Sequence, residues 1–275
     1  PEAYATARKE SEIAFGDGTM YIEHFVVNPR HIEFQILADS FGNVIHLGER
    51  DCSIQRNHQK MIEESPSAAV SPELREKMGH AAVTAAKAAG YVNAGTIEFL
   101  LEPDGKFWFM EMNTRIQVEH PVTEWVTGID LVKEQLKIAS GMPLEIAQED
   151  VRIQGHAIEC RINAENPQKN FRPSPGTIQG AHFPGGNGIR VDTCVYNGCK
   201  IPPYYDSMLA KLIVHAGNRK EAIAKMQSAL GEVIIDGIDT NIDYQYEILK
   251  DEDYQSGNFD TGFLASHIIA GVKIN

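Results

Sequence analysis

The sequence predicts an α+β fold in which an antiparallel sheet carries a polar site. Segment 103–106, Pro-Asp-Gly-Lys, lies between two apolar and aromatic runs, which is typical of a β-hairpin. Segment 30–38 alternates with a period of two, as a strand does. Segments that follow Ser71 and Asn218 carry helix N-terminal signals. Helices packed against an antiparallel sheet form the α+β architecture.

The composition excludes several classes of protein. The chain has 275 residues, of which 43% are hydrophobic, enough for about two domains with a sizeable core. The net charge of -13 disfavours broad contact with nucleic acid. No apolar run is long enough to span a membrane, and no signal peptide is present. Because the chain starts at Pro1 within a helical pattern, we expect it to be cut from a longer protein.

The four cysteines favour a reducing compartment. None belongs to a C-x-x-C pair, and no histidine cluster completes a zinc pattern. Cys194 and Cys199 could meet across a turn, but reduced thiols are favoured. We therefore predict a cytoplasmic protein.

The first part of the chain carries alternating strand patterns and well-marked helices. The predicted elements are a helix over 2–14, strands over 20–27, 30–38 and 44–47, a helix from Ser71 to Gly90, the hairpin, and a helix over 130–140. Segment 49–60 is polar and irregular, and we predict that it is a functional loop. In strand 30–38, His31, Glu33 and Gln35 share one face.

A polar stretch at 148–150 is followed by a new strand pattern at 156–163, so we place a boundary near residue 152, between domains 1–152 and 153–275. The predicted elements of the second domain are strands over 156–163, 177–183, 189–195 and 208–215, a short strand or helix end over 232–236, and helices that begin at Asn218 and extend over 241–250 and 262–270. We find no internal repeat.

Segment 111–119, Glu-Met-Asn-Thr-Arg-Ile-Gln-Val-Glu, is the most informative stretch. Read as an extended chain, one face carries a carboxylate, an amide, a guanidinium, an amide and a carboxylate. These belong to Glu111, Asn113, Arg115, Gln117 and Glu119. A carboxylate with an amide oxygen suits Mg²⁺, a guanidinium suits a planar oxyanion, and a further carboxylate can take a proton. The alternative is a charged surface strand that happens to alternate.

The hairpin predicts a partner for this face. If Glu102 pairs with Phe107, then Glu98 falls opposite Glu111. Like charges directly opposite one another destabilise a sheet, so a divalent cation between them, with Asn113 beside it, would offset the repulsion. Mg²⁺ commonly binds through one or two carboxylates together with substrate phosphates. The pattern therefore predicts a nucleotide-phosphate site, for which Lys60, Arg115 and Arg161 are candidate cations.

Seven motifs extend over essentially the whole chain. They are Asn-Pro-Arg-His-Ile-Glu at 28–33, Glu-Arg-Asp-Cys-Ser-Ile-Gln-Arg-Asn-His-Gln-Lys at 49–60, Gly-Thr-Ile-Glu-Phe at 95–99, the segment 111–123, Gly-His-Ala-Ile-Glu-Cys-Arg-Ile-Asn-Ala-Glu at 155–165, Pro-Ser-Pro-Gly at 173–176 and Pro-Pro-Tyr-Tyr-Asp-Ser at 202–207. By these motifs the chain resembles biotin carboxylase, the ATP-grasp component of biotin-dependent carboxylases. The resemblance implies part of an ATP-grasp domain followed by a biotin carboxylase C-terminal domain.

The resemblance also implies roles for individual residues. The adenine would be held by Glu23, His24, Phe25 and Val26 and packed by Leu100 and Met110, and the ribose or phosphates by His31, Gln55 and His58. Mg²⁺ or Mn²⁺ would be bound by Glu98, Glu111 and Asn113, and bicarbonate by Lys60, Arg115, Gln117 and Val118. Glu119 would be the base, and Arg161 would stabilise the biotin enolate. Taken alone, His31, His58 and Arg161 are more typical of structural roles.

The implied reaction is carboxylation of biotin by ATP and bicarbonate through carboxyphosphate. The implied partners are a biotin carboxyl carrier protein, carboxyltransferase subunits and a second copy of the chain. The parent would be acetyl-CoA carboxylase, which serves fatty acid biosynthesis, with propionyl-CoA or pyruvate carboxylase as alternatives. Another ATP-grasp ligase is disfavoured by the motif around Arg161, which carbamoyl-phosphate synthases lack.

Two departures from the family pattern bear on activity. His24 stands where the family has Lys. We also expect the family's N-terminal domain and glycine-rich lid to be missing, so that this chain alone is inactive. The competing interpretation is a non-catalytic folding or dimerisation module.

Overall fold

A computed structural model describes residues 2–273 of the chain. The helices are α1 (Glu2–Phe15), α2 (Pro72–Ala88), α3 (His120–Thr127), α4 (Leu131–Ala139), α5 (Arg219–Glu232), α6 (Ile242–Lys250), α7 (Glu252–Ser256) and α8 (Phe263–Ser266). The longer strands are β1 (Arg30–Ala38), β2 (Val44–Arg56), β3 (Gln59–Ser65), β4 (Asn93–Leu101), β5 (Phe107–Asn113) and β6 (His156–Asn163). The remaining strands are β7 (Glu165–Asn166), β8 (Arg172–Pro173), β9 (Gly176–Thr177), β10 (Gly180–His182), β11 (Ile189–Thr193), β12 (Lys200–Ile201), β13 (Met208–Ala216), β14 (Ile234–Asp236), β15 (Ile268–Ile269) and β16 (Val272–Lys273). These elements confirm the predicted α+β class.

One antiparallel sheet of eight strands organises the molecule, in the order β11-β13-β6-β3-β2-β1-β4-β5. Strand β6 pairs with β3, so that Ile62 lies opposite Cys160 and Glu63 opposite Glu159. The sheet therefore runs without a break across residue 152 and includes strands from both sides of it.

The two faces of β1 follow the predicted alternation. Ile32, Phe34 and Ile36 pack beneath α2 in one core cluster. Helix α2 begins as predicted, because the Ser71 hydroxyl accepts a hydrogen bond from the backbone N–H of Leu74 at 3.2 Å. The helix stops before Gly90, whose φ of 61° is in the left-handed region that favours glycine. The opposite face of β1 carries polar side chains into the site described below.

The other helices cover the rest of the sheet. Helix α5 packs on β13 and β6, and α3 packs on β6, β13, β2 and β3. Helix α4 lies within the predicted range 130–140, and the Asp130 side chain caps it by accepting from the N–H of Lys133 at 2.9 Å. The Asn218 side chain caps α5 by accepting from the N–H of Glu221 at 3.0 Å.

The predicted strand over 20–27 is wrong, because this segment forms no strand. Tyr21, Ile22 and Phe25 are 80%, 89% and 83% exposed. A strand requires a hydrogen-bonded neighbour, and this segment pairs with no strand among the described residues.

The predicted loop over 49–60 is also wrong. Strand β2 continues to Arg56, and β3 begins at Gln59. The intervening residues, Asn57 and His58, have φ values of 49° and 61°, which is the pattern of a type I′ hairpin turn. Polar residues form strands here because their side chains are buried among partners of opposite charge.

The end of the hairpin β4–β5 differs from the predicted register. Leu101, and not Glu102, pairs with Phe107, and a bulge follows between Phe109 and Glu111. The extra residue, Met110, shifts the pairing by one, so Glu98 does lie opposite Glu111. The predicted carboxylate pair is therefore confirmed, although the predicted route to it is not.

The extended stretch beyond Asn113 and the helix at 262–270 are shorter than predicted. Strand β5 ends at Asn113, and α8 has only four residues. The chain after Asn113 turns toward the sheet, which lets Gln117 reach Glu98. Two helices, α3 and α7, were not predicted. The predicted strand over 177–183 is reduced to the short pieces β9 and β10.

Candidate functional site

A cavity of about 1180 Å³ opens beside the polar face of the sheet. Its walls come from β1 to β6 and from segments near residues 25–29 and 201–208. It gathers most of the residues that the sequence singled out, namely Phe25, Val26, His31, Gln55, His58, Lys60, Glu98, Leu100, Met110, Glu111, Asn113, Arg115, Gln117, Val118, Glu119 and Arg161. Residues separated by more than one hundred positions thus face one space.

Two of the predicted nucleotide contacts, Glu23 and His24, do not line this cavity. The His24 ring lies against Trp108, with ring centroids 5.3 Å apart. Its Nε2 atom is 4.0 Å from Glu102 Oε1. Glu23 and His24 are both exposed, and the His24 side chain lies against the hairpin outside the cavity.

The Lys60 ammonium lies among three carboxylates. Its Nζ atom is 2.5 Å from Glu33 Oε2, 3.0 Å from Glu98 Oε1 and 2.6 Å from Glu119 Oε1. Because all three acids are buried, each needs a nearby partner of opposite charge, and Lys60 is the one that they share. Burial would lower the pKa of Lys60, but Glu33 and the other acids raise it above the usual range. Lys60 is therefore charged at every working pH.

The acids around Lys60 are held as carboxylates. Burial alone would raise the pKa of Glu33, but the charges of Arg50 and Lys60 lower it to about 2. Burial likewise opposes ionisation of Glu98, but the hydrogen bond to His31 at 2.7 Å and the charge of Lys60 lower its pKa to about 2. Both groups stay ionised near neutral pH.

Glu119 lies between two cations at the base of the cavity. Its Oε1 accepts from Lys60 at 2.6 Å, and its Oε2 accepts from an Arg161 NH2 group at 2.9 Å. Arg161 Nε donates in turn to Glu63 Oε1 at 2.6 Å. Glu119 is only 2% exposed, so its contacts are with these groups and the cavity rather than bulk solvent. A carboxylate placed in this way can accept a proton from a bound molecule.

The predicted metal ligands lie together. Glu98 and Glu111 face each other across β4 and β5, and the Asn113 side-chain nitrogen bridges them at 3.0 and 3.1 Å. A donor thus lies between two carboxylates, which is where a cation would be attracted. Rotation of the amide would present its oxygen instead, and carboxylates with an amide oxygen suit a hard divalent cation.

The segment after Asn113 presents a guanidinium and two further groups. Arg115 is exposed to the cavity and donates to Asn113 Oδ1 at 3.2 Å. Gln117 is buried, donates to Glu98 at 2.7 Å and accepts from Arg50 at 3.0 Å. The Val118 carbonyl accepts from Lys211 Nζ at 2.9 Å. The segment is therefore fixed from several sides, and the Arg115 guanidinium is left to meet an anion.

Sequence reasoning missed Arg50, which is fully buried at the centre of this network. Its guanidinium donates at 2.5 to 3.2 Å to Glu33, Gln35, Thr123, Thr96 and Gln117. The sequence did offer a signal, since Arg50 is a charged residue inside the motif at 49–60. Because that segment was predicted to be a loop, Arg50 was expected to be exposed to solvent. Glu33, Glu63, Glu159 and Lys211 were also missed as site residues, because each lies in a strand whose contacts with distant strands the sequence does not show.

Two family profiles match the chain. The carbamoyl-phosphate synthase L chain, ATP binding domain, matches residues 1–147, and the biotin carboxylase C-terminal domain matches residues 159–266. Biotin carboxylase 1 of Bacillus subtilis is 57% identical over 265 residues, which cover 96% of this chain and 59% of that protein. One pyruvate carboxylase subunit of Methanothermobacter thermautotrophicus is 58% identical over 251 residues, which cover 91% of this chain and 51% of that protein. The chain thus spans between half and three fifths of these relatives.

A solved structure has the same fold. It is the biotin carboxylase domain dimer of Hydrogenobacter thermophilus 2-oxoglutarate carboxylase, in complex with MgADP, ADP and bicarbonate. The TM-score is 0.90 at 52% identity, and the match covers 97% of this chain and 59% of that chain. None of the helices described over residues 2–273 is long and apolar enough to cross a bilayer.

Proposed function

The chain belongs to the biotin carboxylase family, and from this premise we propose that it forms the substrate-binding part of a biotin carboxylase. The proposed reaction uses ATP and bicarbonate to carboxylate biotin on a carrier protein. The observation that carries the proposal is Glu119, which lies between Lys60 and Arg161 in the cavity that also contains the Glu98–Glu111 pair. The proposal therefore assigns a base, an anion site and a cation site to one space.

We assign Mg²⁺ or Mn²⁺ to Glu98, Glu111 and Asn113, whose donor types fit a hard divalent cation. Bound there with the nucleotide, the ion would neutralise charge on the phosphates. The dimer structure from Hydrogenobacter thermophilus contains MgADP, which supports this assignment.

The nucleotide is assigned to the outer part of the cavity. Leu100 and Met110 supply an apolar surface for the adenine, together with Phe25 and Val26. The bulge at Met110 turns its side chain toward this surface, which a regular strand would not do. His31, Gln55 and His58 lie along the cavity toward Lys60, where the ribose and phosphates would pass. Glu23 and His24 are kept as adenine contacts through segment 20–27, of which Phe25 and Val26 already line the cavity.

Bicarbonate is assigned to Arg115, Gln117, Val118 and Lys60. The exposed Arg115 fork can bind a planar oxyanion through two N–H groups. Glu119 then removes the bicarbonate proton as the oxyanion attacks the γ-phosphorus of ATP, the bond from that phosphorus to the β,γ-bridging oxygen breaks, and carboxyphosphate and ADP form. Carboxyphosphate breaks down to CO₂ and phosphate, and the phosphate takes the N1′ proton of biotin.

Arg161 is assigned to the biotin step. Its guanidinium stabilises negative charge on the ureido oxygen of biotin. A proton on Glu119 weakens the ion pair at 2.9 Å, so the first proton transfer would free that guanidinium N–H group for biotin. In this proposal Glu119 couples the deprotonation of bicarbonate to the stabilisation of biotin by Arg161.

The remaining assignments concern the whole protein. We propose a biotin carboxyl carrier protein and carboxyltransferase subunits as partners, a homodimer, a cytoplasmic location and a domain boundary near residue 152. The free cysteines agree with a reducing compartment. We propose acetyl-CoA as the final acceptor. Reconstitution with each carrier and carboxyltransferase, followed by labelled bicarbonate, distinguishes malonyl-CoA from oxaloacetate as the product.

The decisive test is Glu119→Gln in the full-length protein. Gln keeps the shape but cannot take a proton, so bicarbonate-dependent ADP release should fall by about 100-fold or more, as for loss of a general base. Titration calorimetry should show unchanged binding of MgATP. The control is Glu76→Gln on the exposed face of α2, which should behave as the unmodified protein.

Two results would contradict the proposal. Unchanged turnover in Glu119→Gln would remove the base. Absence of bicarbonate-dependent turnover in the unmodified full-length protein would favour the non-catalytic module. In this chain alone, MgATP binding without turnover would indicate a preformed nucleotide and metal site.

A further inference from the structure

Two glutamates lie opposite each other beneath the cavity floor, and the proposed mechanism does not use them. Glu63 on β3 pairs with Glu159 on β6, and both are 0% exposed. Side chains directly opposite on antiparallel strands have Cβ atoms about 5 Å apart, and like charges in such pairs are destabilising. Two ionised carboxylates at this place therefore require strong compensation.

The hydrogen bonds of the pair do not supply that compensation. Glu63 Oε1 accepts from Arg161 Nε at 2.6 Å. Glu63 Oε2 and both oxygens of Glu159 are buried and have no hydrogen-bond partner among the described residues. A buried carboxylate without donors is very costly, whereas a carboxylic acid is much less so.

The surrounding charges do not supply it either. The charged and titratable groups that influence the pair are Arg161 and Cys160 on β6, Lys211 on β13, Glu119 before α3, Lys60 on β3 and Cys52 on β2. Lys211 Nζ already lies 3.2 Å from Asp192 and donates to the Val118 carbonyl. Lys60 is shared by three other acids, and Arg161 by Glu63 and Glu119. Glu159 has no cation in contact among the residues that the structure describes.

We propose that Glu63 and Glu159 hold one proton between them and act together as a positioning pair for Arg161. Glu159 carries the proton and donates a hydrogen bond to Glu63 Oε2, which gives a partner to two of the three unpaired oxygens. Glu63 stays ionised and anchors Arg161 Nε. The Nη2 group binds Glu119, and Nη1 has no hydrogen bond among residues 2–273, so in the proposed function biotin would meet Nη1 together with the Nη2 group that protonation of Glu119 frees.

The titration behaviour agrees with this geometry. Burial raises the pKa of Glu159 well above its usual range, and the charge of Glu63 adds to the effect. Burial raises the pKa of Glu63 to about 7, and Arg161 limits the rise. The pair titrates as a unit, and the carboxyl without a cation is the one that keeps the proton.

The sign of the effect on stability follows. The unfolded carboxyl releases its proton near the usual value of 4.5, whereas the folded pair keeps it to about 7 or beyond. Between these values the folded state binds one more proton, so stability falls as the pH rises. In Glu159→Gln the side chain at this position is neutral at every pH, so the variant should not lose stability in this way as the pH rises.

The experiment uses the chain as it is, with Glu159→Gln and the exposed control Glu232→Gln. Infrared difference spectra near neutral pH, unmodified minus Glu159→Gln, should show the carbonyl stretch of a protonated carboxylic acid, which shifts in D₂O. The same difference for the control should show only carboxylate bands. Relative to the variant, the folding equilibrium constant of the unmodified chain should fall about tenfold per pH unit across the window above pH 4.5.

The shared proton would be contradicted if the difference spectrum for Glu159→Gln showed only carboxylate bands and if the folding equilibrium constants of the variant and the unmodified chain changed in parallel with pH. If that variant does not fold, the acid band of the unmodified chain and its loss at high pH decide the matter. For the positioning role, Glu63→Gln in the full-length enzyme should raise the KM for biotin about tenfold, because a neutral amide oxygen accepts from Arg161 more weakly than a carboxylate does, with MgATP binding unchanged. An unchanged KM for biotin would remove Glu63 as the anchor.

This inference rests on the proposed function only for what Arg161 does. A full-length protein without biotin-dependent turnover would contradict the proposed function and leave the infrared result unaffected. The two failures are therefore distinguishable.

Discussion

Arg50 shows how one residue can organise a site without lying in it. Its planar fork reaches side chains on four elements, among them Glu33 on β1 and Gln117 before α3. Glu33 in turn holds Lys60, and Gln117 holds Glu98. An ammonium could not match this geometry, because it has three donors on a flexible stem rather than five in a plane.

We predict that Arg50→Ala destabilises the chain by about 3 to 5 kcal/mol, because it leaves Glu33 buried and short of a cation. The free energy of unfolding of Arg50→Lys should lie between those of Arg50→Ala and the unmodified chain, because Lys restores the charge but not the planar set of donors. Urea unfolding gives the free energies, with Arg172→Ala on the exposed surface as the control. Equal effects of Arg50→Ala and the control would show that the network does not depend on this residue.

The residues of the site could be predicted to a limited depth. Motifs identified the side chains that face the cavity, because their types carry the chemistry. They did not identify Arg50, Glu63 or Glu159, since a charged residue in a polar run is usually solvated. Only the pairing of strands distant in sequence shows that these charges are buried.

Among the elements, the hairpin β4–β5 depends on a single extra residue. Counting back from the turn placed Glu98 opposite Glu111, yet Leu101 begins the pairing one position early. The bulge at Met110 restores the register and also turns Met110 toward the cavity. Turn signals in a sequence indicate that a hairpin exists, but packing decides the register within it.

We predict that Met110→Ala weakens the binding of MgATP, because it removes the apolar side chain that the bulge turns toward the cavity. The affinity should fall by about tenfold, which corresponds to the loss of about two buried methylene groups. Calorimetry with MgATP measures this change. Met110→Leu, which keeps an apolar side chain of similar size, should bind MgATP nearly as well as the unmodified chain. Equal binding by Met110→Ala would place the adenine elsewhere.

The same distinction between local signal and tertiary context explains segment 49–60. Its composition is that of a loop, and no alternation of apolar residues marks a strand. The strands form because Glu49, Arg50 and Asp51 each find a partner of opposite charge or a hydroxyl donor in the fold. By contrast, the helices that begin at Ser71, Asp130 and Asn218 were predictable, since an N-cap is a local hydrogen bond.

At the scale of the whole molecule, the buried acids give stability a limit at low pH. Glu33 and Glu98 have pKa values of about 2 in the folded state against a usual value of 4.5. Their ionised forms are stabilised by folding, so this contribution is complete above 4.5 and is lost as the pH falls toward 2.

We therefore predict that the free energy of unfolding falls steeply below pH 4.5. Protonation of Glu33 and of Glu98 should each lower the folding equilibrium constant by up to about tenfold for each unit by which the pH falls. Urea titrations at a series of pH values measure this slope, and Glu33→Gln should reduce it by one group's share. A slope in Glu33→Gln equal to that of the unmodified chain would show that Glu33 is not held ionised.

The continuous sheet also governs how the chain is made. Strand β3 pairs with β6, which lies about 90 residues later, so β3 leaves the ribosome well before its neighbour exists. At ordinary rates of synthesis, the edge of β3 that carries Glu63 and Glu64 stays unpaired for about 5 to 20 s before β6 is made. During that interval the nascent strand is a template for pairing with other chains, and its two adjacent charges act as gatekeepers against it.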